Sequence, residues 1–376
     1  MAEILQDYYS RLFPVHLIYS WLTNGRHPNS KDPIQEDTFP RREFSLTLPG
    51  DIYCRHKSYS SPEELQKDLK HQRPDKIDIG AVWSIPPKNR NSYSNTIRYE
   101  TIEKEFVIDI DMTDYDNVRT CCSGAKVCQK CWKFLAVACK SVDIALKESF
   151  GFSLCLWVFS GRRGIHCWVS DPEAKRLNDF RRKFLIEFLN SGPKAHTPFI
   201  QIYEDVLFGA FEEIIVNDQD LLVNPQHLQT INELVCVLAD GGFTINPGLM
   251  SSSQVWEALK VRLDETKEKK VVLMNIVFKF LYPRLDVHVS TSTNHLLKAP
   301  FSVHPATQKV CIPFSIGSVD RFDLSEVPSV EETVNGNEKF LEAVQILENH
   351  VKSVRNRYMQ ERNILINKGK IQDEEF

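Results

Sequence analysis

Two aspartates end an apolar stretch, FVIDID, at residues 106–111. Residues two apart on a β-strand face the same side, so Asp109 and Asp111 share one face while the alternating apolar residues face a core. Two neighbouring carboxylates repel each other unless a cation lies between them, and hard divalent cations take oxygen ligands. The pair predicts one edge of a metal site, although a solvated strand end is the commoner explanation of an isolated pair. Asp114 and Asp116 follow where the strand ends and are expected to serve turns and capping.

A third acid, Asp286, lies in PRLDVHVS at residues 283–290. Alternation predicts a strand there, with Arg284, Asp286 and His288 on one face. If this strand lies beside the first, three carboxylates form a site for two divalent ions and for phosphoryl or nucleotidyl transfer. The adjacency is a hypothesis, because spacing along the chain does not determine which strands pair.

A basic turn, SGRRGIH, at residues 160–166 joins two apolar stretches that are predicted to be strands. Glycine lets a backbone approach a ligand closely, and arginine offers forked donors to phosphate oxygens. His166 comes early in an apolar strand, where a polar side chain needs a partner. The turn is therefore a candidate phosphate site, and an ordinary charged hairpin tip is the alternative.

A second basic segment, NHLLKAPFSVH at residues 294–304, follows Asp286 closely. It supplies Lys298 and His304, which could hold a triphosphate. A solvated loop is the alternative.

Four of the ten cysteines lie within eleven residues, CCSGAKVCQKC, as Cys121, Cys122, Cys128 and Cys131. The spacing of Cys128 and Cys131 is typical of zinc ligands, whereas the adjacent pair Cys121 and Cys122 does not fit the usual half-site. Four thiolates in one polar loop favour Zn²⁺ over chance, with a redox pair as the less favoured alternative. Four sulfur ligands leave no open coordination position, so the predicted role of the zinc is structural.

The 376 residues allow one large domain with an insertion, or two domains. The formal net charge of −4 does not by itself indicate a nucleic-acid partner, so binding of nucleic acid would require a local basic patch. The amino terminus lacks the apolar region of a secretory signal, and no apolar run is long enough to predict a membrane span.

Hydrophobic periodicity and turn signals predict the elements that position these residues. They are a helix over 4–22 broken at Pro14, a hairpin over 43–55, a helix over 61–72, strands at 76–83 and 104–112, a helix over 130–148, two strands around the basic turn, a helix from Pro172, mostly helix over 200–282, and a helix over 338–366 packed on its own domain.

Five segments together resemble the small, catalytic subunits of eukaryotic DNA primases, in the archaeo-eukaryotic primase superfamily. They are RREFSLTL, KIDIGAV, FVIDIDMTDYDNVRTCCSGAKVCQKCW, WVFSGRRGIHCWV and LYPRLDVHVSTSTNHLLKAPFSVHP. They cover most of residues 40–170 and 280–305. The segment with the acids and cysteines and the segment with the basic turn are the most specific.

The resemblance implies an α/β fold, the archaeo-eukaryotic primase core with a mixed β-sheet, a helical insertion and a small zinc-binding loop. The catalytic core would comprise residues 1–190 and 281–330, with the zinc loop at 121–131. Residues 191–280 would form the insertion, and 331–376 a helical tail.

The resemblance also implies roles for single residues. Asp109, Asp111 and Asp286 would hold catalytic Mg²⁺ or Mn²⁺, and the four cysteines structural Zn²⁺. Glu43 matches a further acid of the family's active site, with a role that the residues alone do not explain. The implied nucleotide-binding residues are Ser160, Gly161, Arg162, Arg163, Gly164, His166, His295, Leu296, Lys298 and His304, and Tyr53, Arg55 and Asp78 match positions near the bound ribonucleotide. Arg55, Arg162, Arg163, Arg284 and Lys298 would form the local basic patch.

The implied reaction is synthesis of short RNA primers from ribonucleoside triphosphates on single-stranded DNA template for DNA replication, with pyrophosphate as the leaving group. The implied partners are a primase large subunit, with its iron–sulfur cluster, and the catalytic and accessory subunits of DNA polymerase α. A nuclear location follows from the resemblance, and no membrane is involved.

Three alternatives remain open at this point. One is a damage-tolerance primase-polymerase of the same superfamily, which would favour deoxynucleotides. Another is a glycosyltransferase that uses its D-x-D pair to bind a nucleotide sugar. The third is a non-catalytic scaffold that is stabilised by zinc.

Overall fold

The computed structural model describes residues 1–27, 37–91, 98–192, 198–240 and 242–367. Residues 28–36 and 92–97, residues 193–197 and 241 of the predicted insertion, and residues 368–376 of the predicted tail lie outside the described residues.

The α-helices are α1 (Ala2–Arg11), α2 (Val15–Leu22), α3 (Pro62–Gln72), α4 (Gln129–Phe150), α5 (Pro172–Lys175), α6 (Asp179–Leu189), α7 (Phe199–Ile202), α8 (Phe208–Phe211), α9 (Pro225–Leu238), α10 (Ser252–Leu263), α11 (Lys269–Leu281), α12 (Val287–Thr291), α13 (Val330–Val334) and α14 (Glu338–Asn367). The strands are β1 (Arg42–Leu48), β2 (Ile52–Lys57), β3 (Lys76–Trp83), β4 (Thr101–Glu103), β5 (Phe106–Asp111), β6 (Cys155–Phe159), β7 (Gly164–Val169), β8 (Leu297–Lys298) and β9 (Pro313–Phe314).

The first sheet has the strand order β2-β1-β3-β4, and β8 also pairs with β3. The predicted hairpin is confirmed, since β1 and β2 pair in antiparallel register across the turn that holds Gly50. In β1 even the alternating polar residues are buried, because other segments cover this face as well. The pairing of β8 with β3 places Lys298 opposite Asp78, and this brings the segment after Asp286 to the sheet.

The second sheet has the order β5-β7-β6-β9. β6 and β7 form the hairpin whose tip is the basic turn, and β7 pairs with β5 so that His166 lies opposite Asp109 and Gly164 opposite Asp111. One antiparallel ladder therefore joins the predicted acids to the predicted phosphate turn.

Helices cover the two sheets and follow the predicted pattern closely. Pro14 separates α1 from α2, Ser61 caps α3 by accepting from the Glu64 amide, and α4 ends at Gly151 in the left-handed region with φ +69°. A run of short α- and π-helical segments fills residues 199–218, and three longer helices follow up to Leu281. The buried stripe of α14 packs against α2 and β9, which confirms a helix that packs on its own domain.

The α/β fold class is confirmed, with two differences in the elements. The predicted mixed sheet is instead two sheets, and every described strand pair is antiparallel. The helix predicted from Pro172 is two helices, because Asn178 caps a new start by accepting from the Arg181 amide.

The strand predicted at residues 283–290 is wrong. Pro283 has no amide hydrogen for a ladder, and the Asp286 carboxylate accepts from the amides of His288 and Val289, which starts α12. The alternation of polar and apolar residues in this short segment therefore does not indicate a strand. Among the described residues, no helix is long and apolar enough to cross a membrane.

Candidate active site and cysteine cluster

The three predicted metal-binding aspartates come together at one end of β5. Asp109 and Asp111 are its last same-face residues, and the Asp286 amide donates to the Asp109 carbonyl over 2.9 Å. The hypothesis that the two acidic segments are neighbours therefore holds, although the neighbour is the start of a helix. Carboxylate oxygens are the ligands that Mg²⁺ and Mn²⁺ prefer. In the structure both oxygens of Asp111 accept from Arg163, and Oδ1 of Asp286 accepts from the His288 amide.

The charges of these acids depend strongly on one another. Burial, together with Asp286 and Asp111, raises the pKa of Asp109 to about 7. Burial works against ionisation of Asp111 too, but hydrogen bonds from the Thr113 amide and the Arg163 guanidinium hold the pKa of Asp111 below its usual range. Arg163 Nε donates to both Asp111 oxygens at 2.9 Å. A divalent ion would stabilise the ionised form of all three carboxylates.

Two glycines make the basic turn possible. Gly161 has φ +87°, and a Cβ at this position would lie 2.8 Å from the Cβ of His304. A Cβ at Gly164 would lie 2.9 Å from the Ile110 carbonyl oxygen. The Ser160 hydroxyl accepts from the Gly164 amide over 3.1 Å and closes the turn. Only glycine fits these two positions without displacing the β5 ladder or His304.

The histidines of the site are neutral in the absence of substrate. His166 is buried, with Nε2 3.6 Å from Asp109 Oδ1. Burial and the charge of Lys298 lower the pKa of His166 to about 3. Burial, Lys298 and Arg162 lower the pKa of His304 to about 4. Both imidazoles therefore act as hydrogen-bonding groups, and the positive charge comes from the lysine and the arginines.

A cavity of about 510 Å³ lies in front of the acids and connects the two sheets. Lys298 spans it by donating from Nζ to the Ser160 carbonyl over 3.1 Å. The predicted residues that line it are Tyr53, Arg55, Asp78, Asp109, Asp111, Ser160, Arg162, Arg163, Gly164, His166, His295, Leu296, Lys298 and His304. Its lining is strongly basic around an acidic edge, an arrangement that suits a triphosphate with divalent ions.

Three predicted residues lie beside the cavity and do not line it. The charge of Asp286 helps to raise the pKa of Asp109. The backbone of Gly161 packs closely against the Cβ of His304. Glu43 is fully buried and accepts from Arg55 Nε and Trp83 Nε1, each over 2.9 Å. Glu43 therefore touches the site through Arg55.

Arg284, which we predicted as part of the basic patch, points elsewhere. Its guanidinium donates to the Asp114 carbonyl and to Asn117, and it lies 5.1 Å from the centre of the Tyr115 ring. It holds the segment that carries Asp286 against the residues after β5. The prediction is wrong because a segment predicted as a strand is not one, so its faces differ from the expected ones.

Sequence reasoning missed Lys76 and Asn294, which also line the cavity together with Leu297 of the predicted segment 295–298. Lys76 pairs with Asp78 at 3.0 Å. Its position two residues before Asp78 on a strand was a usable signal. Asn294 begins a segment that we singled out for its lysine and histidine alone.

The four cysteines form one cluster, and their sulfur atoms all lie within 4.8 Å of one another. Four thiol donors this close fit a tetrahedral metal such as Zn²⁺. The Cys128 amide donates to the Cys131 sulfur over 3.1 Å at the start of α4. The adjacent pair, Cys121 and Cys122, contacts a different segment of the chain: Gln219 Nε2 donates to the Cys121 sulfur over 3.4 Å.

Arg119 organises this loop, and the sequence analysis did not single it out. It donates to the carbonyls of Gly124 and Lys126 and pairs with Asp116. Asp116 in turn accepts from the Gly124 amide over 3.0 Å, so the predicted turn role of Asp116 agrees with its contacts.

The sequence model of a family described as DNA primase small subunit matches residues 108–316, more than half of the chain. A DNA primase small subunit of Drosophila melanogaster is 40% identical, in an alignment that covers 89% of this chain and 82% of that protein. The chain belongs to the DNA primase small subunit family.

Other members of the family agree with this assignment. The DNA primase small subunit of Schizosaccharomyces pombe is 34% identical over 90% of this chain and 78% of its own length. A DNA primase small subunit PriS of Pyrobaculum arsenaticum is 23% identical over 65% of this chain. The matched family region includes the acids, the cysteine cluster and the basic turn. The resemblance drawn from the five segments is therefore confirmed, and membership supports a primase catalytic subunit.

Proposed function

We propose that this chain is the catalytic subunit of a DNA primase, which makes short RNA primers on single-stranded DNA template for DNA replication. The observation that carries the proposal is the meeting of Asp109, Asp111 and Asp286 at the edge of a basic cavity. Family membership gives the reaction class, a primase and hence a transferase, and the cavity supplies groups for the substrate.

In this reaction, a primer 3′-hydroxyl attacks the α-phosphate of a ribonucleoside triphosphate, and pyrophosphate leaves. Asp109, Asp111 and Asp286 would hold two Mg²⁺ or Mn²⁺ ions. When bound, these ions activate the hydroxyl and neutralise charge on the leaving oxygen. Arg162, Arg163 and Lys298 bind the phosphate oxygens, and positioning with charge stabilisation accounts for most of the catalysis.

The remaining site residues orient the nucleotide. Tyr53 and Asp78 both hydrogen-bond to the Ser45 hydroxyl at 3.1 Å, and this shared contact fixes them at the cavity wall. We assign them to the ribose and base end of the nucleotide. His166 and His304 complete the phosphate end as neutral hydrogen-bonding groups.

The other expectations remain part of the proposal. Zn²⁺ in the cysteine cluster is structural, since four thiolates leave no coordination position for a substrate. The partners are a primase large subunit and the catalytic and accessory subunits of DNA polymerase α, in the nucleus. The division into a core of 1–190 and 281–330, an insertion of 191–280 and a tail of 331–376 belongs to the proposal as well.

The test is synthesis of labelled RNA on single-stranded DNA with ribonucleotides and Mg²⁺ or Mn²⁺, for the wild type and Asp111→Asn. We expect the wild type to make product and the variant to lose at least about 100-fold in rate, because a metal ligand is removed. Asp51→Asn is the matched control, since Asp51 is exposed in the β1–β2 turn.

Initiation and elongation are measured separately. If the wild type extends a preformed RNA primer but does not start one, initiation requires the large subunit. If it does neither with the large subunit added, the proposal is wrong. Preference for deoxynucleotides would instead support the damage-tolerance primase-polymerase.

A further inference from the structure

The loop that begins at Thr293 forms one wall of the cavity, and distant segments hold its start. The Thr293 amide donates to the Asp179 carboxylate over 2.9 Å. The Thr293 hydroxyl lies 2.9 Å from the hydroxyl of Thr101. These two contacts tie the loop to α6 and to β4.

The next two carbonyls of the loop each accept a hydrogen bond from a basic side chain. Arg55 Nη2 donates to the Asn294 carbonyl over 2.8 Å. Lys104 Nζ donates to the His295 carbonyl over 2.5 Å. Because Asn294 and His295 line the cavity, both hydrogen bonds reach the wall itself.

Lys104 is unusual because it is a fully buried lysine. Among the described residues it has no ion pair with a carboxylate, and its one described side-chain partner is the His295 carbonyl. Burial lowers the pKa of Lys104 to about 7. A buried amine is costly unless its donors are satisfied, so packing alone does not account for a lysine here.

The backbone of Lys104 is as firmly held as its side chain. Its amide donates to the Lys175 carbonyl over 3.1 Å, and its carbonyl accepts from the buried Arg182 over 2.5 Å. Lys104 therefore connects the core to the loop, since its backbone bonds the core and its side chain bonds the loop.

We propose that Lys104 is a positioning residue that preforms the nucleotide-binding wall by holding the His295 carbonyl. The inference rests on the proposed function, since it supposes that the cavity takes a ribonucleoside triphosphate. A loop held in place before binding spares the nucleotide the free-energy cost of ordering it.

Glu43 has the corresponding role on the Arg55 side. Glu43 is buried and bonds Arg55 Nε, while Arg55 Nη2 reaches the Asn294 carbonyl. Gly80 leaves room for this arrangement, since a Cβ there would lie 3.1 Å from the Glu43 Cβ and 3.2 Å from the Leu296 Cγ. Glu43 therefore reaches the loop through Arg55.

The experiment is primer elongation by the full chain carrying Lys104→Met, which keeps the volume and removes the donor. We expect the KM for ribonucleotide to rise about tenfold while kcat changes less than about threefold, because the hydrogen bond from the buried amine to the His295 carbonyl is lost. Binding of a fluorescent ribonucleoside triphosphate with Ca²⁺ is measured beside it. Lys104→Arg retains a donor and should keep the KM within about threefold of the wild type.

Lys175→Met is the matched control for loss of stability. Lys175 is a buried lysine whose Nζ pairs with Glu103 at 3.1 Å and Glu105 at 3.6 Å, and none of its described hydrogen bonds or ion pairs is to the loop. It should lower the melting temperature without raising the KM. If Lys104→Met does not fold, Asp179→Ala tests the same loop from an exposed position, with an expected rise in KM of about two- to threefold.

The outcomes separate the two proposals. Unchanged nucleotide KM and Kd in Lys104→Met, or changes that Lys175→Met reproduces, overturn the positioning role. Wild-type protein that binds nucleotide but never extends a primer overturns the proposed function, and the binding comparison still decides the role of Lys104.

Discussion

At the scale of single residues, the site depends on close approach as much as on charge. Gly161 and Gly164 bring the basic turn within contact of His304 and of β5, and Arg163 then reaches Asp111 with both Nε contacts at 2.9 Å. If the backbone of the turn lay further from the acids, the arginine side chains would not reach a phosphate bound beside those acids. Glycine at these positions is therefore part of the candidate binding machinery.

A substitution at Gly161 tests this argument. We expect Gly161→Ala to raise the nucleotide KM at least about fivefold, because the new Cβ displaces His304, and to lower stability by about 1–2 kcal/mol through its positive φ. The measurements are elongation kinetics and denaturant unfolding.

Gly50→Ala is the control for backbone strain. Gly50 has φ +83° and nothing within 4 Å of a new Cβ, so it shares the strain without the clash. An equal change in KM for both variants would contradict the argument.

At the scale of elements, the cysteine cluster joins segments that would otherwise be separate. Cys128 caps α4 and Cys131 lies in its first turn, whereas Cys121 and Cys122 follow the 3-10 helix Met112–Val118 that comes after β5. Gln219, after the π-helical segment, bonds the Thr120 amide over 2.6 Å and also contacts Cys121. A metal held by all four sulfurs would therefore connect the segment after β5 to the helices packed on α4.

Metal removal should weaken this junction. We expect one Zn²⁺ per chain by elemental analysis, and Cys131→Ala to lose it and lower the Tm by about 5–10 °C. Cys236→Ser is the control, since Cys236 is an exposed cysteine outside the cluster. Retention of full zinc by Cys131→Ala would show that the cluster is not the metal site.

At the scale of the whole molecule, one buried charge network connects both sheets and the N-terminal helices. Arg42 on β1 bonds Glu105, next to β5, over 2.7 Å, and also donates to the carbonyls of Gly80 and Leu22. Lys175 adds a second cation 3.6 Å from Glu105. Burial opposes the ionisation of Glu105, but Arg42 and Lys175 lower its pKa to about 2.

This network makes stability depend on pH in a defined direction. A lowered pKa means that the contribution of Glu105 is present above the unfolded value of about 4.3 and is lost as pH falls toward about 2. We expect Glu105→Gln to destabilise the protein by about 3–5 kcal/mol at pH 7 and by less at pH 3, because Arg42 is left buried without its counter-ion. Denaturant unfolding across this pH range is the measurement.

Glu3→Gln serves as the control, because Glu3 is exposed on α1. A loss of stability that is the same at pH 3 and pH 7 would show that the charge of Glu105 is not what stabilises the junction.

The sequence by itself determined most of the local chemistry of this protein. The D-x-D strand, the basic hairpin, the cysteine cluster and the helix ends at Ser61 and Gly151 are each encoded within a short segment. Period, capping and turn chemistry act over a few residues, so they can be read without knowing the fold. Short-range patterns gave a wrong prediction at residues 283–290. Apolar and polar residues alternate there as in a strand, but Asp286 caps the start of a helix.

Only the tertiary structure decided which segments meet. It placed Asp286 against Asp109, turned Arg284 away from the cavity, set Glu43 behind Arg55, and brought Lys104 to the His295 carbonyl. These contacts join residues far apart in the chain, and they result from burying two sheets against shared helices. Packing of this kind depends on the shape and charge of the whole core, which no short pattern contains.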